Sequence, residues 1–418
     1  MKVLTSSNVA ALVNRMYRNA TGTTTVSDDG VTAAGDIALE DLSNIVDAGT
    51  TLSNSITIEN FRNVVTGMLE GVGVILYENA KLSSPSRFDI FIDENEYMTL
   101  IEKVRISAIE FEQSYMYATS GGSSFADMFN NHPLTFTVKV WNTIGTYRTK
   151  PFTISITQLR SACMNPEELT RLIGQIYAVV EVTYYTAIRE AEKRVITNQA
   201  ANSAIATKAG TGTFVIDVLK AFYDDTGTSL TTATYKTSDA FKRWFYGFFE
   251  HIKLLMGEIS GNYNTEGNLI NTDDEDRRSF LTEPFYTALR TISVFQDGTS
   301  FKDALEGTKI VPFIQNINDP QKIYVLPVDP PVLTVGKHIT SVEIENVIGM
   351  IWDRRGTLVT STKIEAGAQA NDFDKWVNYT NNFSIRELCD KGSNCIVLAM
   401  KDSSGTNKPY TVTEASDS

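Results

Sequence analysis

The stretch NPEELTRLIGQIYAVVEVTYYTAIREAEKRVITNQAA, residues 165–201, determines how the rest of the chain is interpreted. Asn165 can cap a helix, and Pro166 suits the first helical position. Apolar residues then recur at steps of three and four from Leu169 to Val195. We therefore predict a helix of about 35 residues, on the order of 50 Å long, with a single apolar stripe. Such a helix serves as the spine of a larger fold, and we assign it to residues 161–205.

Before the helix, residues 98–160 have the pattern of β-structure. Strands are predicted around residues 104–111, 134–140 and 152–157, and the apolar face switches at 108–109, which indicates a bulge. The segments predict a long hairpin with one apolar face and one face of Thr, Ser and Lys. Because a two-stranded ribbon is only marginally stable in isolation, we expect it to pack on a neighbouring subunit.

The N-terminal part divides into two regions. Residues 1–57 contain a short helical pattern at 5–18 and then a stretch rich in Thr, Ser, Gly and Asp. Large apolar residues are scarce there, so the segment cannot form a core alone. We interpret it as an extended arm that becomes ordered on partner surfaces; a disordered tail is the alternative. Residues 58–97 contain a second helical pattern, at 58–77, and a connection to the hairpin.

After the spine helix, residues 206–345 mix short strands and helices. Ser238 begins a helix whose aromatic residues have the spacing of a core face, not of a cofactor site. Residues 272–278 are a charge cluster that lacks the alternating acidic residues and the glycine of a calcium loop, so we predict a solvated loop or a subunit-edge contact. Residues 346–418 return to β-structure, and 403–418 have a tail-like composition.

Composition narrows the class of protein. The chain has 418 residues, 42% of them hydrophobic and 21% charged, and a net charge of −13. These values are typical of a folded protein with several cooperating subdomains. We expect no membrane segment and no sequence-specific DNA binding, because the acidic surface repels nucleic acid. A wall that encloses DNA without adhering to it is compatible with this charge. The cysteines, Cys163, Cys389 and Cys395, are interpreted as buried residues without a disulfide framework.

The sequence offers little sign of catalysis. None of its histidines, His132, His251 and His338, lies in a zinc-protease motif, and we expect His251 to be buried or at a boundary. No nucleophile elbow or phosphate-binding loop is present, and the residues from Gly210 to Gly212 are interpreted as a loop. We therefore predict no catalytic residues, no cofactor and no metal ligand, although an unrecognised enzyme is one alternative.

The order of these elements resembles the Hong Kong 97-type capsid fold of tailed bacteriophages, an α+β fold. In that comparison 1–57 corresponds to the N-terminal arm, 98–160 to the E-loop, and 161–205 to the spine helix of the P-domain. Residues 206–345 correspond to the A-domain, and 346–418 to returning P-domain strands with a C-terminal tail.

Two local stretches carry the same resemblance. Residues 348–356 are similar to a strand with an Asp-Arg pair near the end of such proteins, and 373–400 to their final strands. The Asn- and Tyr-rich run at 376–383 is most similar to capsid proteins of small podoviruses.

The resemblance implies a major capsid protein that forms hexamers and pentamers of an icosahedral shell around phage double-stranded DNA. It also implies partners, namely scaffolding, portal and head-fibre or decoration proteins, assembly in the host bacterial cytoplasm and a final location in the virion. Some relatives join a lysine to an asparagine covalently. No such pair is assigned here, and Lys103, Lys139 and Lys150 are interpreted as ordinary solvated lysines. An encapsulin-type compartment and a phage collar or tail protein are the alternatives.

Overall fold

The structure is a computed structural model, and it describes residues 88, 90–94, 101–106, 136–141, 144–148, 152–155, 166–290, 305–327, 332–361, 365–371 and 376–416. The predicted arm, the helix at 58–77, the bulge at 108–109, Cys163, His132 and Lys150 lie outside these residues. Helices and strands are mixed along the described chain, which confirms the predicted α+β class.

The bounds of the described elements are as follows. The helices are α1 (Pro166–Ala209), α2 (Val218–Thr226), α3 (Asp239–Gly257) and α4 (Glu283–Arg290). The strands are β1 (Phe91–Glu94), β2 (Ile101–Ile106), β3 (Phe136–Trp141), β4 (Ile144–Arg148), β5 (Phe152–Ser155), β6 (Val215–Asp217), β7 (Arg277–Thr282), β8 (Thr308–Val311), β9 (Ile323–Val325), β10 (Lys337–Ile344), β11 (Val347–Asp353), β12 (Thr357–Ser361), β13 (Glu365–Asn371), β14 (Trp376–Cys389), β15 (Cys395–Ala399) and β16 (Tyr410–Ser416).

Helix α1 is the long helix that the sequence predicts, but it extends further than expected. It begins at Pro166 and continues for 44 residues to Ala209, past the predicted end near Ala201. The chain leaves the helix at Gly210, whose φ of 80° is a left-handed conformation that glycine adopts without strain. The end was misplaced because the apolar stripe fades after Ala201 in the sequence, whereas tertiary packing still buries Ile205.

The prediction of a single apolar stripe on α1 is wrong for its second half. Between Ala191 and Ala206 most residues are buried, including the polar Glu192, Gln199 and Ser203. Helix α1 contacts β9, β10, β12, β14, β15 and β16, so strands surround this half on several sides. Alanine and serine are frequent here, and their small side chains let the strands approach closely.

The 14-residue strand β14 organises a six-stranded sheet. Its first half pairs with β13 and β5, and its second half pairs with β12 and β4, all antiparallel. Strand β1 completes this sheet by parallel pairing with β12. One long strand therefore fixes the positions of segments that come from both sides of α1 in the sequence.

A five-stranded sheet has the order β6-β15-β11-β7-β8. All seven residues of its middle strand β11 are buried, because core residues pack on both faces. One core cluster includes residues of α1, and the other includes aromatic residues of α2, α3 and α4. The sheet combines strands from 206–345 with strands from 346–418, so the predicted boundary between those regions does not separate two sheets.

Helix α3 is the predicted aromatic helix. Ser238 caps it, since the Ser238 Oγ accepts a hydrogen bond of 3.3 Å from the Phe241 N–H. Phe241 and Phe245 are fully buried, as the pattern predicts, and Phe249 is buried as well. His251 is exposed, so the prediction that it is buried or at a boundary is wrong.

The C-terminal residues form a strand, contrary to the predicted tail. Strand β16 pairs with β10 over its whole length in a three-stranded sheet of order β16-β10-β9. Tyr410 and Val412 are buried and Thr411 and Thr413 are exposed, which is the alternation of a half-buried strand. The polar composition of these residues made the two-residue alternation hard to recognise in the sequence.

The two described cysteines are free thiols. Cys395 is buried and Cys389 is partly buried, and burial raises the pKa of each thiol to about 12.

Candidate functional site

Strands β2 and β3 form a two-stranded antiparallel ribbon, and the ribbon is anchored next to the end of β14. Strand β4 follows β3 almost at once and pairs with β14 in a register that puts Ile144 opposite Arg386. Going back along the chain from Ile144 leads to Lys139, and going forward from Arg386 leads to Asp390. The antiparallel register therefore brings Lys139 and Asp390 to the same end of the six-stranded sheet.

Three cations of the ribbon surround the Asp390 carboxylate. Lys103 Nζ lies 2.6 Å from Asp390 Oδ2, and Arg105 Nη2 lies 3.2 Å from the same oxygen. Lys139, directly opposite Lys103 in the ribbon, reaches Asp390 Oδ1 at 3.1 Å. The Asp390 side chain has no exposed surface, whereas each of the three cations remains partly exposed.

The turn after β14 holds Asp390 in place. Its Oδ1 accepts a hydrogen bond from the Gly392 N–H at 3.0 Å, and its Oδ2 accepts one from the Ser393 hydroxyl at 3.0 Å. The Asp390 backbone N–H donates to Gly356 O, and the Gln199 amide of α1 donates to Asp390 O. The carboxylate is therefore preorganised by the body of the fold before the ribbon adds its charges.

The charge state of Asp390 follows from these contacts. Burial acts to raise its pKa, but the charge and hydrogen bond of Lys103, the Gly392 N–H and the charge of Lys139 outweigh it. The pKa of Asp390 is therefore held below its usual range. Asp390 stays ionised wherever the ribbon is docked, and the attraction to the ribbon persists at neutral pH.

Glu266 is the second carboxylate of this cluster. It forms an ion pair with Lys139, lies 3.8 Å from Arg105 Nη1, and accepts a hydrogen bond of 3.1 Å from the Asn268 amide. Thr265 donates to Lys391 O, which ties the Glu266 loop to the Asp390 turn. The cluster thus consists of three ribbon cations and two body carboxylates; below, these five residues, Lys103, Arg105, Lys139, Glu266 and Asp390, are called the ribbon-root cluster.

Gly392 leaves the space that the ribbon-root cluster needs. A Cβ at Gly392 would lie 2.4 Å from Arg105 Nη1, 2.4 Å from Glu266 Oε2 and 2.6 Å from Asn268 Nδ2. A methyl group at this position would therefore displace the ends of these three side chains, two of which belong to the ribbon-root cluster.

The opposite face of the ribbon is turned to solvent. Val104 and Val138 are directly opposite each other in the antiparallel register and expose 59% and 55% of their surfaces. Both belong to the face opposite the cations, because neighbouring residues of a strand alternate in direction. The ribbon is therefore held on one side by ion pairs, while a pair of valines on its other side is more than half exposed.

In the described ranges, no group of three or more His, Cys, Asp or Glu residues is arranged to hold a metal ion. Among the described helices, none is long and apolar enough to span a membrane. Of the charge cluster at 272–278, Asp273 to Glu275 lie exposed in a turn, as expected for a solvated loop, whereas Arg277 and Arg278 already belong to β7.

The sequence did not reveal the ribbon-root cluster. Lys103 and Lys139 were interpreted as ordinary solvated lysines, and this is wrong because both form ion pairs with a buried carboxylate. Their partner Asp390 had no distinguishing signal, since more than 250 residues separate it from either lysine. The only available hint was the alternation of the predicted hairpin, which correctly placed lysines on one face and valines on the other.

Comparisons with solved structures find phage capsids that are similar to this chain. No protein-family model and no curated protein matches the sequence. The capsid structure of Staphylococcus phage Andhra is 11% identical with a TM-score of 0.45, and the match covers 76% of this chain and 85% of that chain. The capsid of the cyanophage P-SCSP1u is 12% identical with a TM-score of 0.38, covering 75% and 87%. The capsid of Myoviridae phage XM1 is 9% identical with a TM-score of 0.37, covering 74% and 89%.

All three are phage capsids, the class of protein whose order of elements this sequence resembles.

Proposed function

We propose that the protein is the major capsid protein of a tailed bacteriophage of the small podovirus type. Copies associate into hexamers and pentamers of an icosahedral shell that encloses double-stranded DNA. The shell assembles in the cytoplasm of the host bacterium, with scaffolding, portal and head-fibre or decoration proteins as further partners. The protein itself carries out no catalysis.

The ribbon is the observation that carries this proposal. It is attached to its own subunit by the ribbon-root cluster on one face, and it exposes Val104 and Val138 on the other. Burying the exposed parts of two valines contributes on the order of 1–2 kcal/mol at each subunit contact. Contacts of this strength are individually reversible, and a closed lattice adds many of them together. An anchored ribbon with an uncovered apolar face therefore suits a subunit that completes its core against neighbouring copies.

The charge of the chain supports the same function. With a net charge of −13, a shell of many copies has no general attraction for the phosphates of its contents. A container benefits from this property, because DNA must enter and leave without adhering to the wall. In the proposed shell, the DNA is therefore enclosed without sequence-specific binding.

Electron microscopy and light scattering of the expressed chain test the proposal. The parent chain, alone or with its scaffolding partner, is expected to form isometric particles. Val104→Asp and Val138→Asp are expected to stay as folded small species, since a carboxylate cannot be buried in an apolar contact without a large cost. A stable monomer under every condition, including expression with neighbouring genes, would refute the capsid function.

The control is Thr232→Asp, which adds the same charge at an exposed position of a turn far from the ribbon in the sequence. It is expected to assemble like the parent. Circular dichroism of all three variants separates loss of assembly from loss of folding. Normal particles from Val104→Asp and Val138→Asp would show that the valine face of the ribbon is not part of the subunit interface. The capsid function would then depend on contacts through other surfaces.

A further inference from the structure

A glutamine side chain occupies the open edge of the three-stranded sheet. Strand β9 pairs with β10 on one side, and on its other side the Gln315 amide contacts Tyr324. Gln315 Nε2 donates to Tyr324 O at 2.8 Å, and the Tyr324 N–H donates to Gln315 Oε1 at 2.8 Å. These two bonds reproduce the pair that an antiparallel neighbouring residue would make.

The position of Gln315 is built into the fold. The preceding residue, Ile314, is fully buried, and its N–H donates to Pro320 O, which closes the loop between β8 and β9. Within β9, Ile323 and Val325 are buried, whereas Tyr324 is exposed. The loop thus positions the Gln315 amide beside Tyr324, the one residue of β9 whose N–H and C=O face away from β10.

The surroundings of this edge favour association. Ile317, Tyr324 and Leu326 each expose 45% or more of their surface beside the strand. An edge strand with a free backbone pair and apolar neighbours is a template for adding a further strand. The free pair at Tyr324 would also be self-complementary, because two antiparallel copies of β9 related by a two-fold axis would exchange both bonds.

We propose that Gln315 is an edge cap that prevents β9 from pairing with β9 of a second copy of this chain. The amide satisfies the outward N–H and C=O of Tyr324, so an added strand would gain no backbone hydrogen bonds at that position. Copies of a shell protein must associate through specific surfaces. The cap prevents the edge of β9 from acting as a further, competing contact surface. This proposal rests on the proposed capsid function only for the benefit of avoiding β9 pairing. That Gln315 blocks the pairing does not depend on the capsid function.

Disulfide trapping tests the cap directly. Two β9 strands paired about Tyr324 would bring the two 324 positions opposite each other at a Cα separation of about 5.5 Å, which a disulfide can span. Under mild oxidation, Tyr324→Cys combined with Gln315→Ala is expected to form at least five times more cross-linked dimer than Tyr324→Cys alone. Gln315→Asn, whose shorter amide cannot reach the strand, is expected to behave like Gln315→Ala. The parent chain, which has only its native cysteines, gives the background.

Two results would overturn the proposal. One is equal cross-linking with and without Gln315 in proteins of unchanged circular dichroism. The other is increased sedimentation of the double variants, in which Tyr324→Cys is combined with Gln315→Ala or Gln315→Asn, without any cross-link through position 324. Cross-linking and sedimentation can both be measured on dissociated subunits as well as on shells. The edge cap can therefore be refuted while the capsid function stands, and the capsid function can be refuted while the edge cap stands.

Discussion

Lys103 Nζ lies 2.6 Å from Asp390 Oδ2, although 287 residues separate the two in the sequence. This contact joins the ribbon to the turn that follows the longest strand of the fold. It is also the shortest contact that Asp390 makes with the ribbon, and Lys103 donates further to Ser393 Oγ at 3.0 Å and to Arg355 O at 3.2 Å. The orientation of the ribbon, and hence the direction of its valine face, therefore depends on contacts that centre on one buried carboxylate.

Replacing that carboxylate is expected to loosen the ribbon without unfolding the body. Asp390→Asn leaves three cations facing one another without their buried counter-charge, which costs about 2 kcal/mol because the cations remain partly solvated. Amide hydrogen exchange in residues 101–106 and 136–141 is then expected to be about 30-fold faster, since 1.4 kcal/mol corresponds to a factor of ten. Glu345→Gln, which removes the exposed partner of Lys401, is the control and should change exchange less than threefold. Unchanged exchange in Asp390→Asn would show that the ribbon-root cluster does not hold the ribbon.

Lys253 is expected to make stability depend on pH in the alkaline range. Burial, followed by the charge of Arg277, lowers its pKa to about 8, and its Nζ donates to Thr308 Oγ1 at 2.9 Å. Between about pH 8 and pH 10.5 the unfolded chain holds the lysine proton more tightly than the folded chain. The free energy of unfolding therefore rises with pH across this window, by on the order of 2 kcal/mol, and the cost of burying the charge is complete below pH 8.

Comparison of Lys253→Met with the parent isolates this effect. The difference in denaturation midpoint between the two proteins is expected to change from pH 7.5 to pH 10.5 in favour of the parent. Lys236→Met, at an exposed lysine, should keep a constant difference across the same range. A constant difference for Lys253→Met as well would contradict the lowered pKa.

Two glycines are expected to respond in opposite ways to replacement by alanine. A Cβ at Gly349 in β11 would lie 2.5 Å from Phe280 O, a backbone atom of the adjacent strand, so Gly349→Ala should cost about 2–3 kcal/mol. Gly247, on the exposed face of α3, has no atom within 4 Å of such a Cβ, and Gly247→Ala should stabilise by about 0.5–1 kcal/mol. Thermal unfolding of both variants measures the two signs. Equal shifts would show that the close packing of β7 on β11 relaxes at little cost.

Two substitutions in β16 test whether the C-terminal residues form a packed strand and not the polar tail that the sequence predicted. Val412 is buried between β16 and the core and its backbone carbonyl accepts a hydrogen bond of 2.9 Å from Lys208, whereas Thr411 points to solvent. Val412→Ala is expected to cost about 1–2 kcal/mol, and Thr411→Ala less than about 0.5 kcal/mol. Chemical denaturation compares them. Similar small effects would mean that residues 410–416 behave as the polar tail that their composition suggested.

What the sequence predicted well was local. The sequence predicted the start of α1 at Pro166, and it predicted the start of α3 at Ser238, because capping preferences and helical spacing act between near neighbours. The alternation of the ribbon was equally readable. The end of α1 at Ala209 and the strand β16 could not be predicted from local patterns, because packing against strands distant in the sequence determines both.

The ribbon-root cluster and the edge cap depend on long-range placement. Asp390 is one of many acidic residues in an acidic chain, and only the register of β4 on β14 brings it beside Lys139. Gln315 lies in a loop, and only the fold shows that its amide substitutes for a missing strand. Spacing within the sequence contains no information about such pairs.

The burial of α1 also has a consequence for the timing of biosynthesis. The strands that enclose its second half, β9, β10, β12, β14, β15 and β16, are all translated after it. At about 5–20 residues per second, the roughly 200 residues that follow the helix need about 10–40 s to leave the ribosome. The strands arrive one after another during that interval, so part of the apolar surface of the helix stays uncovered until β16 has been made. The core around the second half of α1 is therefore complete only once β16 has left the ribosome.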